Sequence, residues 1–303
     1  MKKYTSALGK ILAASYDTNH LGKSVALLKL NNDKEVFLMG APHRLRSTLN
    51  GEVAVYRVTN RLQWGDNGKS IWQITSSNFT QGAQMGEQFG HDIATGDFNG
   101  DGIMDYAVAA PTWCDQNIGR SKVNVGRVYI FLAINGKKTV DDADANPNFF
   151  DMDSSSSSLR DDDDIEASAG DNFQAAQVLE GFSSHGQFGF SLQSVDLNED
   201  GIDDLVISAP FEDEEHGKIY IFNGQMENDI LKVFAESPSQ ILKRENSYWF
   251  GHSMSLRADL DDNEYKDLAV GAPKSEEIFM YRTRPSVQLD ISGNFLNKIP
   301  YVA

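Results

Sequence analysis

FGFSLQSVDLNEDGIDDLVISAP, residues 188–210, has three parts in fixed order: an aromatic residue with glycine, an acidic loop with oxygen side chains at alternate positions, and an apolar run closed by Ala-Pro. The same order recurs at 89–111 (FGHDIATGDFNGDGIMDYAVAAP) and at 250–273 (FGHSMSLRADLDDNEYKDLAVGAP). A degenerate copy, LGKSVALLKLNNDKEVFLMGAP, occupies 21–42 and loses most of the acidic loop. Each copy is followed by a second β-rich run: EVAVY at 52–56, RVYIF at 127–131, KIYIF at 218–222 and EIFMY at 277–281. The closing prolines, Pro42, Pro111, Pro210 and Pro273, lie 69, 99 and 63 residues apart. The chain is therefore four copies of a unit a little over 60 residues long, with one insertion of about 30.

Within a unit the short runs are β-branched and apolar and are bounded by Gly, Asp, Asn and Pro, with no helical stripe of useful length. Three or four strands per unit follow. Runs as apolar as 106–110 and 205–208 suit strands covered on both faces, as when small sheets stack around an axis in a propeller. The expected fold is all-β, made of β-propeller blades, with repeats at about 15–75, 76–140, 172–230 and 231–282. Between them, 141–171 carries a serine run at 154–158 and an aspartate run at 161–164 with few apolar residues. That composition predicts a solvated, disordered loop, with an acidic binding tail as the alternative.

The acidic loops carry the chemistry. Asp97, Asn99, Asp101 and Asp105 stand at positions 1, 3, 5 and 9 of one loop, with the Ile103 carbonyl available at 7 and Gly102 at 6. A hard cation needs several oxygens converging from a tight turn, and glycine takes the positive-φ position without steric cost. Asp196, Asn198, Asp200, the Ile202 carbonyl and Asp204 repeat the set around Gly201. Asp259, Asp261, Asn263, the Tyr265 carbonyl and Asp267 keep the donors but place Glu264 at position 6. A non-glycine residue held left-handed costs on the order of 1 kcal/mol, so this third site is expected to be weaker. In the first repeat Lys29 replaces the leading aspartate, and that loop is expected to bind no metal.

Composition narrows the function classes. With 27 Lys and Arg against 44 Asp and Glu, the chain carries a net charge of −17, which argues against binding nucleic acid. The single cysteine, Cys114, excludes thiolate metal clusters and intrachain disulfides. No apolar run approaches the roughly 18 residues of a membrane helix. The six histidines do not cluster: His91 and His252 fill a variable position after Phe-Gly, and His20, His43, His185 and His216 fall in scattered loops. There is no H-E-x-x-H and no G-x-S-x-G, and the Gly-Lys-Ser triplets at 22–24 and 68–70 lack the upstream glycine of a phosphate loop. No enzyme activity is expected. Asn78-Phe79-Thr80 is a glycosylation sequon that matters if the protein is secreted.

Phe-Gly, then D-x-[DN]-x-[DN]-G-x-x-D, then Gly-Ala-Pro or its variants resembles the FG-GAP repeat of integrin α-subunit β-propellers. The segment 281–289 (YRTRPSVQL) is similar to the passage from the last propeller strand into the Ig-like thigh domain of that family, here 283–303. The resemblance covers about 20–295. It implies four blades of a seven-bladed propeller, an incomplete ring occupying 1–282, on a cell-surface adhesion receptor subunit. It further implies Ca2+ at the loops above, pairing with an integrin β-subunit, and an extracellular-matrix or cell-surface protein ligand. Attachment would run through a single membrane span missing from this chain. The alternatives are the propeller portion of a glycosylphosphatidylinositol-specific phospholipase D-like enzyme and a secreted carbohydrate-binding or scaffold propeller.

Overall fold

The computed structural model describes residues 22–30, 34–43, 51–64, 70–115, 122–133, 173–225 and 233–283. The insertion at 141–171, the centre of the degenerate loop at 31–33, and the segment from 284 onward lie outside them. Among the described residues, fifteen strands form four antiparallel sheets. Sheet 1 runs β1 (Val25–Leu30), β2 (Lys34–Ala41), β3 (Glu52–Trp64) and β4 (Ser70–Gln81). Sheet 2 is β5 (Ile93–Gly96), β6 (Asp105–Ala110), β7 (Arg127–Ala133) and β8 (Phe173–Glu180). Sheet 3 is β9 (Leu192–Val195), β10 (Asp204–Ala209), β11 (Lys218–Phe222) and β12 (Gln240–Lys243). Sheet 4 has β13 (Ser253–Ala258), β14 (Asp267–Ala272) and β15 (Glu277–Tyr281).

The order in every sheet is that of the chain, so each sheet is a meander, and the first strands β1, β5, β9 and β13 lie against one another in succession. This is the architecture of propeller blades. The sheets are offset from the sequence units. β8, which follows the insertion, completes sheet 2, and β12 completes sheet 3. An outer strand can arrive through a long connection because it pairs only with its neighbour's edge.

Period-2 alternation decides which face of each strand meets which sheet. Tyr106, Val108, Ala110, Tyr129 and Phe131 pack toward sheet 1, whereas Ala107, Ala109, Val128, Ile130 and Leu132 pack toward sheet 3. In sheet 3, Leu205, Ile207, Tyr220 and Phe222 face back to sheet 2, and Val206, Ile219 and Ile221 face sheet 4. Every residue of β6 and β10 is buried, as the continuous apolar runs require.

The Phe-Gly dipeptide is the joint between blades. Phe89 lies edge-on to Tyr129 and Phe131, Phe188 to Tyr220 and Phe222, and Phe250 to Phe279 and Tyr281. Each phenylalanine backbone is pressed against a glycine that opens the third strand of the preceding sheet. A Cβ on Gly51, Gly126 or Gly217 would come within 2.4, 2.1 or 2.2 Å of the Phe89, Phe188 or Phe250 carbonyl oxygen. All three have φ between +86° and +88°, which only glycine adopts without strain.

A buried carboxylate sits beside the tyrosine of β7 and of β11. Glu87 is fully buried and its Oε2 accepts the Tyr129 hydroxyl at 2.7 Å, and Glu212 does the same for Tyr220 at 2.7 Å. The two glutamates come from different loops. Glu87 precedes Phe-Gly, and Gly186 fills its place in the next repeat. Glu212 follows Ala-Pro, where the preceding repeat has Trp113. Gly186 leaves room for the Glu212 side chain. In sheet 4 Phe279 replaces the tyrosine, and no hydroxyl needs an acceptor.

Burial raises the Glu87 pKa above its ordinary value of 4.5 against the lowering hydrogen bonds from Tyr129 and Gln84. The folded state therefore holds this proton more tightly than the unfolded chain. Its contribution is fully present below the ordinary carboxylate pKa and is lost as pH rises through the folded value. Glu87→Gln, which keeps an acceptor for Tyr129, is expected to flatten the melting temperature between pH 4 and 7 relative to wild type. An unchanged slope would remove Glu87 as its source.

Among the described residues the outer faces of the array are exposed. Ile278 and Met280 occupy the positions of Val128 and Ile130 in sheet 2 and of Ile219 and Ile221 in sheet 3, yet are 76% and 53% exposed. On sheet 1, Val25 and Leu27 are 59% and 49% exposed. Apolar faces that the inner sheets cover are thus left open at both ends among the described residues. The purified chain is expected to self-associate at tens of micromolar. Light scattering checks this, and a compact monomer would overturn it.

Candidate metal centres

The three acidic loops join the first and second strands of sheets 2, 3 and 4, so each begins where the innermost strand ends. In every loop the leading aspartate folds the turn onto itself. Asp97 Oδ1 accepts from the N–H groups of Gly100 and Asp101 at 2.8 and 3.1 Å, and its Oδ2 accepts from Gly102 at 2.7 Å. Asp196 Oδ2 accepts from Gly201 at 2.9 Å, and Asp259 Oδ2 from Glu264 at 2.7 Å. The side chains at position 5 then cap position 7: Asp101 Oδ1 accepts from Ile103, Asp200 Oδ1 from Ile202 and Asn263 Oδ1 from Tyr265.

The last aspartate of each loop is buried and ties the loop to the sheet. Asp105 accepts from the Phe98 and Ala133 N–H groups, Asp204 from Leu197 and Gly224, and Asp267 from Leu260 and Thr283. Burial, then repulsion from Asp101 and Asp97, pushes the Asp105 pKa up to about 7 despite those hydrogen bonds. The same causes, with Asp200 and Asp196 as the repelling groups, bring Asp204 to about 6. A divalent cation reverses this logic by favouring the ionised forms.

The donor sets fit a hard cation: carboxylate, amide and carbonyl oxygens, with no nitrogen or sulfur ligand among them. Asp196 Oδ1 is buried without a hydrogen-bond partner, an orphan acceptor that a cation would satisfy. Asp259, Asp261 and Asp267 place carboxylate oxygens within 4.8 Å of one another, the one such group of three among the described residues. In the first two loops Asn99 and Asn198 donate to Asp101 and Asp200. In the third, Asn263 donates instead to the Thr283 carbonyl, leaving Asp261 free of that bond.

The backbone separates the loops as well. Position 6 is left-handed throughout: Gly102 at φ 81°, Gly201 at 87° and Glu264 at 74°. Position 4 is left-handed too, occupied by Gly100, Glu199 and Asp262 at 72°, 57° and 58°. The glycine at position 6 was the sequence signal for this geometry; position 4 gave none, because two of its three residues are acidic. The third loop thus combines the best-gathered carboxylates with two strained positions.

Away from the loops, the residues after each Phe-Gly meet. The His91 and Phe190 rings lie 5.1 Å apart and the Phe190 and His252 rings 4.7 Å, with Trp249 stacked on His252. Burial, followed by the charges of Lys23, His43 and His252, lowers the His91 pKa to about 4, so it is neutral at pH 7. Sequence spacing gave no sign of this convergence, since the residues share only their place after Phe-Gly.

The FG-GAP repeat model matches residues 89–131 and 188–222, the segments that carry the first two complete loops. The chain is 30% identical over 293 residues to integrin alpha-PS2 of Drosophila melanogaster, covering 93% of this chain and 17% of that protein. It is 31% identical over 299 residues to integrin alpha-5 of Xenopus laevis and 30% over 297 residues to integrin alpha-V of Gallus gallus, in each case 94% of this chain and 23% of the relative. The chain spans about a fifth of the length of these curated relatives. They are integrin α chains, and nothing in the matches favours the phospholipase or carbohydrate-binding alternatives. With four meander sheets joined through Phe-Gly and identity to several integrin α chains along nine-tenths of its length, the chain is an integrin α-like FG-GAP protein.

Proposed function

We propose that this chain forms propeller blades of a cell-surface adhesion receptor α subunit, stabilised by calcium and acting through binding rather than catalysis. The observation that carries the reading is the identity to integrin α chains of insect, amphibian and bird across more than nine-tenths of this sequence. The subunit pairs with an integrin β-subunit, faces the extracellular side of a single-pass membrane protein, and contributes to recognition of a matrix or cell-surface protein. The sequon at Asn78 fits such a glycoprotein, and an acidic protein with no nucleic-acid footprint fits an extracellular binding role. Immunoprecipitation with an antibody to this chain from surface-biotinylated cells tests the proposal. A labelled α chain with an integrin β-subunit beside it is expected; an unlabelled chain without one would overturn the reading.

Calcium would be held by Asp97, Asn99, Asp101, Ile103 and Asp105, by Asp196, Asn198, Asp200, Ile202 and Asp204, and by Asp259, Asp261, Asn263, Tyr265 and Asp267. When bound, the cation neutralises the converging carboxylates and locks the loop between two strands. Extracellular sites of this chemistry have Kd values of about 0.1–1 mM, which matches the calcium level outside cells. Glycine at position 6 of the third loop would relieve left-handed strain without removing a donor. Glu264→Gly is therefore expected to tighten calcium binding there by about fivefold, on the order of 1 kcal/mol. Titration calorimetry in a chain lacking Asp101 and Asp200 reads this site alone. Weaker binding would show that the loop uses the Glu264 carboxylate.

A further inference from the structure

Adjacent cation loops touch each other across the blade interface. The Asp203 carboxylate accepts the Asp97 N–H at 2.9 Å, and the Asp203 N–H donates to the Asp97 carbonyl at 2.9 Å. The backbone of the leading donor of the 97–105 loop is thus clamped from two sides by position 8 of the 196–204 loop, next to the donor Asp204. The clamp is close-fitting: a Cβ on Gly96 would lie 2.8 Å from the Asp203 carboxylate and 2.3 Å from Ser194 Oγ. The corresponding residues of the other loops, Met104 and Lys266, carry no carboxylate. A second contact lies on the other side, where the Tyr265 hydroxyl donates to Glu199 at 2.9 Å. Loop 196–204 therefore holds the loop before it and is held by the loop after it.

We infer that Asp203 is a positioning residue that couples cation binding at the 97–105 and 196–204 loops, so that each site binds more tightly when its neighbour is filled. The inference rests on the cation reading of these loops. An ion drawn in by Asp204 and Asp196 fixes the turn that carries Asp203, and Asp203 in turn fixes the Asp97 backbone before a cation reaches its carboxylate. Ordering one loop reduces what the other must order on binding.

Calcium titration of the whole chain tests this, with the 259–267 loop silenced by Asp261→Ala so that two sites remain. Silencing the 196–204 loop with Asp200→Ala is expected to weaken the 97–105 site about fivefold, and Asp101→Ala is expected to weaken the 196–204 site by the same factor, since such coupling is reciprocal. Asp203→Ala should make each affinity independent of its neighbour, and Asp203→Asn, which keeps an acceptor for the Asp97 N–H, should restore most of the effect. Equal affinities with the neighbouring loop intact and silenced would overturn the coupling, as would coupling that survives in Asp203→Ala. The comparison of intact and silenced neighbours needs no Asp203 variant, so it decides the matter even if Asp203→Ala does not fold. Absence of calcium binding at both loops would overturn the cation reading and the coupling together, whereas independent binding overturns the coupling alone.

Discussion

Phe188→Ala should lower stability by about 3–5 kcal/mol, the range for removing a buried aromatic side chain from a packed core. The ring is fully buried between sheets 2 and 3, edge-on to Tyr220 and Phe222 and close to Phe182. Little can collapse into the space it leaves. Its backbone is pinned to Val125 by a 3.0 Å hydrogen bond and abuts Gly126, and neither can move inward without breaking the start of β7. In a stack where each sheet contacts only its neighbours, stability is a sum of sheet and interface contributions. The loss therefore falls on one interface, and unfolding is expected to split into two transitions as sheets 1–2 and 3–4 lose their coupling. Differential scanning calorimetry reads both features. Phe182→Ala, at a half-exposed ring on the rim of the same cluster, is the control and should cost far less. A single transition with less than about 1 kcal/mol lost would refute the role given to the Phe-Gly joint.

Repetition made most of this fold legible. An isolated run such as AVAAP does not distinguish strand from buried helix, but four copies in register with a paired run such as KIYIF fix a strand pair and its neighbour. Alternation within the paired run accounts for the rings that meet Phe-Gly, since Tyr220 and Phe222 are two apart and share a face. The donors of the acidic loops were legible for the same reason, because Asp or Asn recurs at positions 1, 3, 5 and 9 of all three loops. What stayed hidden depends on contacts between units. The exchange of Glu87 for Glu212 cannot be read from either repeat alone, because the carboxylate reaches the same tyrosine position from opposite ends of the unit. Asp203 looks like one more acidic residue in an acidic loop until the preceding sheet brings the Asp97 backbone against it. The convergence of His91, Phe190 and His252 is hidden likewise, since nothing in the chain marks which residues will face the neighbouring blade.

Calcium at about 1 mM should raise the stability of the folded chain by about 3 kcal/mol through the two glycine-bearing loops. A site with Kd near 0.1 mM contributes about 1.4 kcal/mol at that concentration, because only the folded loop brings the donors together. For a chain of this size each kcal/mol moves the melting temperature by about 2–4 °C, so the shift between chelator and calcium should reach roughly 6–12 °C. Asp101 and Asp200 are the positions to remove. Both are exposed, and both sit at position 5, away from the buried aspartates that tie the loop to its sheet, so alanine there withdraws a donor without emptying a core site. Asp105 or Asp204 would be poor choices, since each holds two backbone N–H groups that would be orphaned whether or not a cation is bound. The Asp101→Ala/Asp200→Ala chain is expected to keep its melting temperature in chelator and to lose most of the calcium shift, retaining only the part due to the 259–267 loop. Lys29→Ala should leave the shift unchanged, because a lysine at the leading position supplies no oxygen. An equal calcium shift in wild type and double variant would remove these loops as cation sites, and the calcium part of the proposed function with them.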